Sequence, residues 1–286
     1  MLIAGPSAPH HGAMTISKTD AASALSSAAT TIQMIGGPTA ILELGGWRLL
    51  TDPTFDPPGD HPVGERNLVK TSHPAVPVGR VGAIDAVLLS HDQHPDNLDR
   101  AGRKLLERMP LVLSTAAAAQ RLGGTVRELP PWRHHRMVRP DRRDLTVTGV
   151  PAQHGPAGTE HLTGEVRGFV LSGDGLPTIY ISGDNASLNV VRDVVDHAGP
   201  IDIAVLFAGR ARSPLMDAYL TMSADQASRA AEILDSPVVI PMHVDGWQHL
   251  TEDAVLISKA FARRGLLDRL RVITPGVVTL ISVSRA

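Results

Sequence analysis

From Thr31 onward, short apolar runs alternate with Gly, Pro and charged breaks. "TIQMIGG", "TAILELGGWRLLTDPTF" and "DAVLLSH" are apolar or alternating stretches closed by Gly-Gly or Pro, a pattern that predicts strands and hairpins. In "LLSHDQHPDNLDR", Leu88 to Arg100, the apolar run turns abruptly polar. A helix is predicted there over about Pro95–Glu107, because proline presets φ at an early helical position and Asp96 and Asp99 suit the positive end of the helix dipole. "TAAAAQRLG" predicts a second short helix after "LVLS". "DLTVTGVPAQH", "VRGFVLSG" and "PTIYISGD" predict strands. Helices and strands then alternate through "SLNVVRDVVDHAG", "IDIAVLFAG", "SADQASRAAEILDS", "PVVIPMH" and "TEDAVLISKAFARRG", and "RVITP" and "VVTLISV" close the series. This mixture predicts two sheets with helices on the outside, a layered α/β architecture. Residues 31–286 contain no repeat and no linker, so they are expected to form one domain. Residues 1–30, rich in Ala, Ser and Thr, are expected to be a flexible or loosely docked extension, and its His10 and His11 are weak metal candidates.

Composition narrows the chemistry. The 286 residues are 43% hydrophobic and 20% charged, enough for a substantial core, and the formal net charge of −2 offers no electrostatic footprint for nucleic acid. The basic stretch "PPWRHHRMVRPDRRD" reads as an exposed hairpin with His134 and His135 in solvent. Cysteine is absent, so thiolate ligands and cysteine nucleophiles are excluded and any metal must be held by His and carboxylate. No run approaches the roughly 18 apolar residues that span a bilayer, so no integral membrane segment and a cytoplasmic location are expected.

Four strand ends carry the candidate chemistry. "LLSHDQHPD", "TGVPAQHG", "IYISGDNAS" and "VIPMHVDG" each place His or Asp directly after an apolar strand. A single strand-end histidine is ordinarily a solvated or hydrogen-bonded loop residue. Four such ends in one chain point elsewhere: if one edge gathers them, His91 or His94, Asp96, His154, Asp184 and His243 share a cleft in which a cation reconciles imidazoles with carboxylates. No Gly-x-Ser-x-Gly sequence offers a serine nucleophile instead.

The order and spacing of these residues resemble the metallo-β-lactamase superfamily of hydrolases, whose signature is a His-x-His-x-Asp-His loop, then a lone His, a Gly-Asp and a late His. "LLTDPTF", "VPAQHGP", "GFVL", "YISGDN", "LTMSADQA" and "IPMH" are similar to the branch that contains L-ascorbate-6-phosphate lactonase and N-acyl-phosphatidylethanolamine phospholipase D. The resemblance implies a four-layer αββα sandwich. It implies metal ligands at His94, Asp96, His154, Asp184 and His243, with Asp184 bridging two metals. The first ligand is His91 if the loop is aligned from the strand end, with one extra residue before His94, and Asp92 if it is aligned from the right; His91 is preferred because it directly follows Ser90. Gln93 then enters the helix or stands behind the ligands. Asn97 stands where the family has its last His, which implies a weakened second metal site.

The implied cofactor is one or two Zn2+, with Mn2+ or Fe2+ also suited to such ligands. The implied activity is water-driven hydrolysis of an ester, lactone or phosphoester, in which Asp96 and Asp184 orient the nucleophile and one protonates the leaving group. The competing reading is a non-catalytic metal or ligand binder with a degenerate second site. Asp52 either supports the site from behind or caps a turn. Arg210 and Arg212 are candidates for holding an anionic small-molecule substrate, or are solvated; Asp245, Trp247 and His249 are expected to line the pocket. Self-association into a homo-oligomer stays open.

Overall fold

In the computed structural model, which describes residues 29–64, 66–213 and 216–283, the alternating runs build two mixed sheets. The strands are β1 (Thr31–Gly36), β2 (Thr39–Leu44), β3 (Trp47–Thr51), β4 (Gly59–Val63), β5 (Arg66–Lys70), β6 (Ala86–Leu88), β7 (Val112–Ser114) and β8 (Val126–Glu128), then β9 (His134–Met137), β10 (Leu145–Ala152), β11 (Val166–Ser172), β12 (Ile179–Ile181), β13 (Ile203–Phe207), β14 (Arg212–Ser213), β15 (Ala218–Tyr219), β16 (Val238–Met242) and β17 (Val278–Leu280). One sheet has the order β17-β1-β2-β3-β6-β7-β8 and the other β16-β13-β12-β11-β10-β9. The helices are α1 (Arg100–Leu106), α2 (Ala116–Leu122), α3 (Glu160–Thr163), α4 (Leu188–Ala198), α5 (Ala224–Leu234) and α6 (Ala254–Arg263).

The period-two alternation of a strand makes the layers. In β6, Leu88 joins the inner core with Leu145, Phe169 and Val205 of the opposite sheet, while Val87 faces Leu105 and Leu106 of α1. In β13, Val205 and Phe207 point inward and Ala204 and Leu206 pack outward against Ala227 and Ala231 of α5. Three separate apolar cores between two sheets and two helical layers make the expected αββα sandwich. Among the described residues, no helix is long and apolar enough to cross a membrane.

Some expectations shift. The helix expected over Pro95–Glu107 begins only at Arg100, where the Asp99 carboxylate accepts from the Gly102 amide at 2.8 Å; residues 95–98 wind as turns on the His94 carbonyl. Gly102 lets α1 sit directly on the Pro53 carbonyl, since a Cβ there would lie 1.8 Å from that oxygen. "RVITP" is not a strand: Arg271 donates one backbone bond to Val239 and the chain moves on. The basic stretch does form a hairpin, with His134–Met137 paired to Leu145–Thr148. The extension expected over 1–30, with His10 and His11, falls outside the described residues except for its last two.

Strand direction positions the site. β3, β6, β7 and β8 run parallel in one sheet. In the other, β10 and β12 point the same way, each antiparallel to β11, and β13 and β16 run parallel to β12. The carboxyl ends of β10, β12 and β16 therefore emerge at one edge. The end of β6 meets them there, because the Arg167 amide at the start of β11 donates to the Ser90 carbonyl at 2.9 Å.

Candidate metal centre

The loop after β6 is built to turn its histidines inward. Asp52, at φ +26 after β3, accepts from the Ser90 amide at 2.6 Å, and the Asn97 carboxamide donates to Asp52 at 3.5 Å and to Ser90 Oγ at 3.4 Å. Ser90 Oγ lies 2.9 Å from His91 Nδ1, which leaves His91 Nε2 to face the cleft. Across the sheets, Gly183 sits at φ +56 before Asp184; a Cβ there would come within 2.6 Å of the Arg167 carbonyl, so glycine permits the close approach.

Among the described residues, two groups of ligand-capable atoms result: His91, His94 and His154, and Asp96, His243 and His249. In the first, His94 Nδ1 lies 3.0 Å from His91 Nε2 and 3.2 Å from His154 Nε2. A tetrahedral shell with metal–nitrogen bonds of about 2.0–2.1 Å has nitrogen–nitrogen edges of roughly 3.3 Å, close to this spacing. His154 Nδ1 donates to the Leu220 carbonyl at 3.0 Å, which fixes the tautomer that leaves a lone pair on Nε2. In the second group, Asp96 Oδ2 lies 3.2 Å from His243 Nε2 and 3.0 Å from His249 Nε2. Asp184 stands between the groups: Oδ2 is 3.9 Å from His91 and 3.7 Å from His154, and Oδ1 is 3.8 Å from His243.

The donor set fits a cation. Asp96 Oδ1, Asp184 Oδ1, both His243 nitrogens and His249 Nδ1 are buried without hydrogen-bond partners. Each such atom costs about 1–3 kcal/mol if left unpaired, and a divalent ion beside Asp96 and Asp184 would compensate the two carboxylate oxygens and His243 Nε2. Burial and the neighbouring imidazoles push His94 down to about 4; burial likewise lowers His154 to about 4 and His91 well below its ordinary value. These three rings are neutral and ready to donate. Burial opposes charge on His243, but Asp184 and Asp96 override it and hold it up to about 9. Burial would raise Asp96, yet His249 and His243 keep it well below the usual carboxylate range; Asp184 is raised by burial and by Asp96. Burial also lifts Asp52 to about 8 against the bonds from Ser90.

The structure brings together His91, His94, Asp96, His154, Asp184 and His243. Of the two alternatives for the first position, His91 joins the group, whereas Asp92 turns away and takes both oxygens to Arg121, with Nε at 3.0 and 3.2 Å. The expectation of a second group short of one donor is corrected: His249 stands beside Asp96, and Asn97 is engaged with Asp52 and Ser90. His249 lines the pocket as expected, but nothing in the sequence marked it as a donor beyond being a histidine six positions after His243. Its place is set by distant backbone bonds, from Gln248 to Val69 at 2.9 Å and from Arg212 to the His249 carbonyl at 3.0 Å.

Gln93 folds back on the Asp92 amide at 3.1 Å. Asp245 fastens the β1–β2 turn by accepting from Gly37 at 3.0 Å instead of facing the cleft, and Trp247 is buried edge-on to His61. Arg210 is paired with Glu252 at 2.9 Å and lies over the Tyr219 ring; Arg212 lines the cleft and pairs with Asp217 at 2.9 Å. His243 itself is held at φ +54, its amide donating to Gly37 at 3.0 Å and its carbonyl against Gly209, where a Cβ would lie 2.2 Å away. A left-handed histidine at a buried site is strain held in place by its surroundings.

The profile of the beta-lactamase superfamily domain matches residues 47–244. A UPF0173 metal-dependent hydrolase of Pyrococcus abyssi is 31% identical over 107 residues, which cover 37% of this chain and 44% of the relative. The chain thus spans about half the length of the curated relatives it matches. Among solved structures, an isothiocyanate hydrolase from Delia radicum gut bacteria superposes with a TM-score of 0.73 at 22% identity, over 89% of this chain and 100% of that one. A metallo hydrolase from the archaeon Ignicoccus hospitalis gives 0.67 at 18% identity, over 90% and 100%. At these identities the superpositions show a shared fold.

Proposed function

Because the chain belongs to the beta-lactamase superfamily, we propose that it is a metal-dependent hydrolase that uses water to cleave an ester, lactone or phosphoester. The observation that carries this reading is the pair of facing donor groups with Asp184 between them, and the buried atoms of Asp184 and of the second group that have no hydrogen-bond partner. The competing reading, a binder with a degenerate second group, rested on Asn97, and His249 beside Asp96 removes that reason.

His91, His94 and His154 would hold one ion, Asp96, His243 and His249 the other, with Asp184 shared. Imidazole and carboxylate without thiolate favour zinc, and manganese or iron suit the same donors. When bound, a divalent cation lowers the pKa of water toward roughly 7 and polarises the bond under attack. The chain's own part follows from position. Asp96 lines the open cleft with His94, His154 and His249. Its Oδ1 has no hydrogen-bond partner, so it can accept a proton from the attacking water and return it to the leaving group. Asp184, buried between the groups, orients the water from below. Elemental analysis of chelator-free protein, followed by a screen of lactones, phosphodiesters and phosphomonoesters with reconstituted protein, tests the reading. Protein that takes up neither zinc nor manganese, or metal-loaded protein inert to the whole screen, would refute it.

A further inference from the structure

We infer that the cleft selects substrates carrying an alkyl or acyl arm several carbons long, which lies on an apolar wall beside the metal groups; this rests on the hydrolase reading above. The floor of the cleft is His94, Asp96, His154 and His249, and its walls include Val63, Leu68, Leu162, Met216 and Leu220.

The wall comes from three separate places in the chain. In the β4–β5 hairpin, His61 pairs with Leu68 and Val63 with Arg66, so Val63 and Leu68 share a face with His61, whose side chain packs on Trp247. That face looks into the molecule, and its outer end looks into the cleft. Leu162, on the single turn of α3, is 56% exposed and lies at the cleft. Alone, an exposed leucine would mean nothing; grouped with Val63, Leu68, Met216 and Leu220 around one cleft it extends an apolar patch, and such a patch beside a polar floor marks a ligand surface. Leu220 is fixed by the site itself: its carbonyl accepts from His154 Nδ1 and its side chain packs over Gly155. The apolar wall and the floor are therefore held in register, and an arm on Leu220 and Leu68 presents its head to His94, His154 and Asp96.

Alkylphosphonates test this, because the phosphonate head binds a metal pair and the tail length is variable. Calorimetry on zinc-loaded protein with methyl-, butyl- and hexylphosphonate should show Kd tightening roughly threefold to fourfold per added methylene while the tail stays on the wall. Leu68→Asn and Leu162→Asn should flatten that series while leaving zinc content and the methylphosphonate Kd unchanged. Equal Kd for methyl- and hexylphosphonate overturns the inference, as does an unaltered slope in both variants. Zinc retained with no phosphonate bound overturns it too, leaving the metal reading standing. Loss of zinc uptake, read separately by elemental analysis, overturns the hydrolase reading and this inference with it.

Discussion

Stripping the metals should leave a proton on His243 and none on the three-histidine group. Asp184 and Asp96, 3.8 and 3.2 Å from His243 Nε2, outweigh burial and raise its pKa to about 9, whereas His94 and His154 sit at about 4. At pH 7 the second group must therefore lose a proton before it accepts an ion. Two pH units separate 7 from 9, so the apparent affinity of that group at pH 7 is about 100-fold below its high-pH limit, close to 2.7 kcal/mol. It falls tenfold per unit between pH 9 and 5, while the first group keeps its affinity until the pH approaches 4. The sign for stability is consistent. His243 has a folded pKa above its ordinary 6.5, so its ion pairs stabilise the metal-free fold fully below pH 6.5 and the contribution fades as the pH rises through 9. Long-range 1H–15N spectra of metal-free protein read the protonation of each ring, and competitive zinc titrations from pH 6 to 9 read the two affinities. A neutral His243 at pH 7, or two sites that weaken in parallel, would refute the reasoning.

His249→Ala should retain one tightly held ion and lose the second at least tenfold in affinity, measured by zinc titration, since Asp96 and His243 alone make a poor shell. Asn97→His should bring no gain in zinc affinity, because the carboxamide it replaces bonds Asp52 and Ser90 and not the open side of the group. Arg121→Ala strands the buried Asp92 carboxylate; with the guanidinium side chain 46% exposed, a loss of about 1–2 kcal/mol in urea unfolding is expected. Lys70→Met breaks the buried pair with Asp99 at 3.2 Å and should cost ~2–3 kcal/mol, and adding Asp99→Asn should cost less than the sum of the single changes, as a double-mutant cycle will read.

The strand ends were legible because each ligand follows an apolar run, and parallel strands carry such ends to one edge without further information. The same reasoning misplaced the start of α1. Asp96 looks like a first-turn carboxylate favouring the dipole, but its side chain is taken by His243 and His249, so the helix waits for Asp99, whose Oδ1 caps it while Oδ2 holds Lys70. The β4–β5 hairpin escaped notice because "GDHPV" and "RNLVK" are polar, short and broken by Pro62; they pair because His61 and Lys70 have Trp247 to pack on. The donor role of His249, expected only to line the pocket, was hidden for the same reason. Its loop is fastened to Val69 and Thr71 of that region by backbone bonds across a long stretch of sequence, which no local pattern records.

Those long-range bonds bear on how the sandwich is held at its open edge. His91, His94 and Asp96 come from the end of β6 in one sheet; His154, Asp184, His243 and His249 follow strands of the other. Each donor group therefore takes side chains from both sheets, and an ion in either one is a cross-link between layers that also meet through apolar contact and through backbone bonds such as Arg167 to Ser90 and His243 to Gly37. Ligand assembly is then inseparable from closure of this edge, so metal-binding free energy is also folding free energy. The edge of a chelated protein keeps its buried, unpartnered carboxylate and imidazole atoms but loses the ions that compensate them. Unfolding of metal-free protein should begin there, with the amides of residues 89–98 and 243–249 exchanging hydrogen well before those of the inner core around Leu88, Phe169 and Val205; protection of both loops at core levels after chelation would show that the sheets need no ion to stay closed.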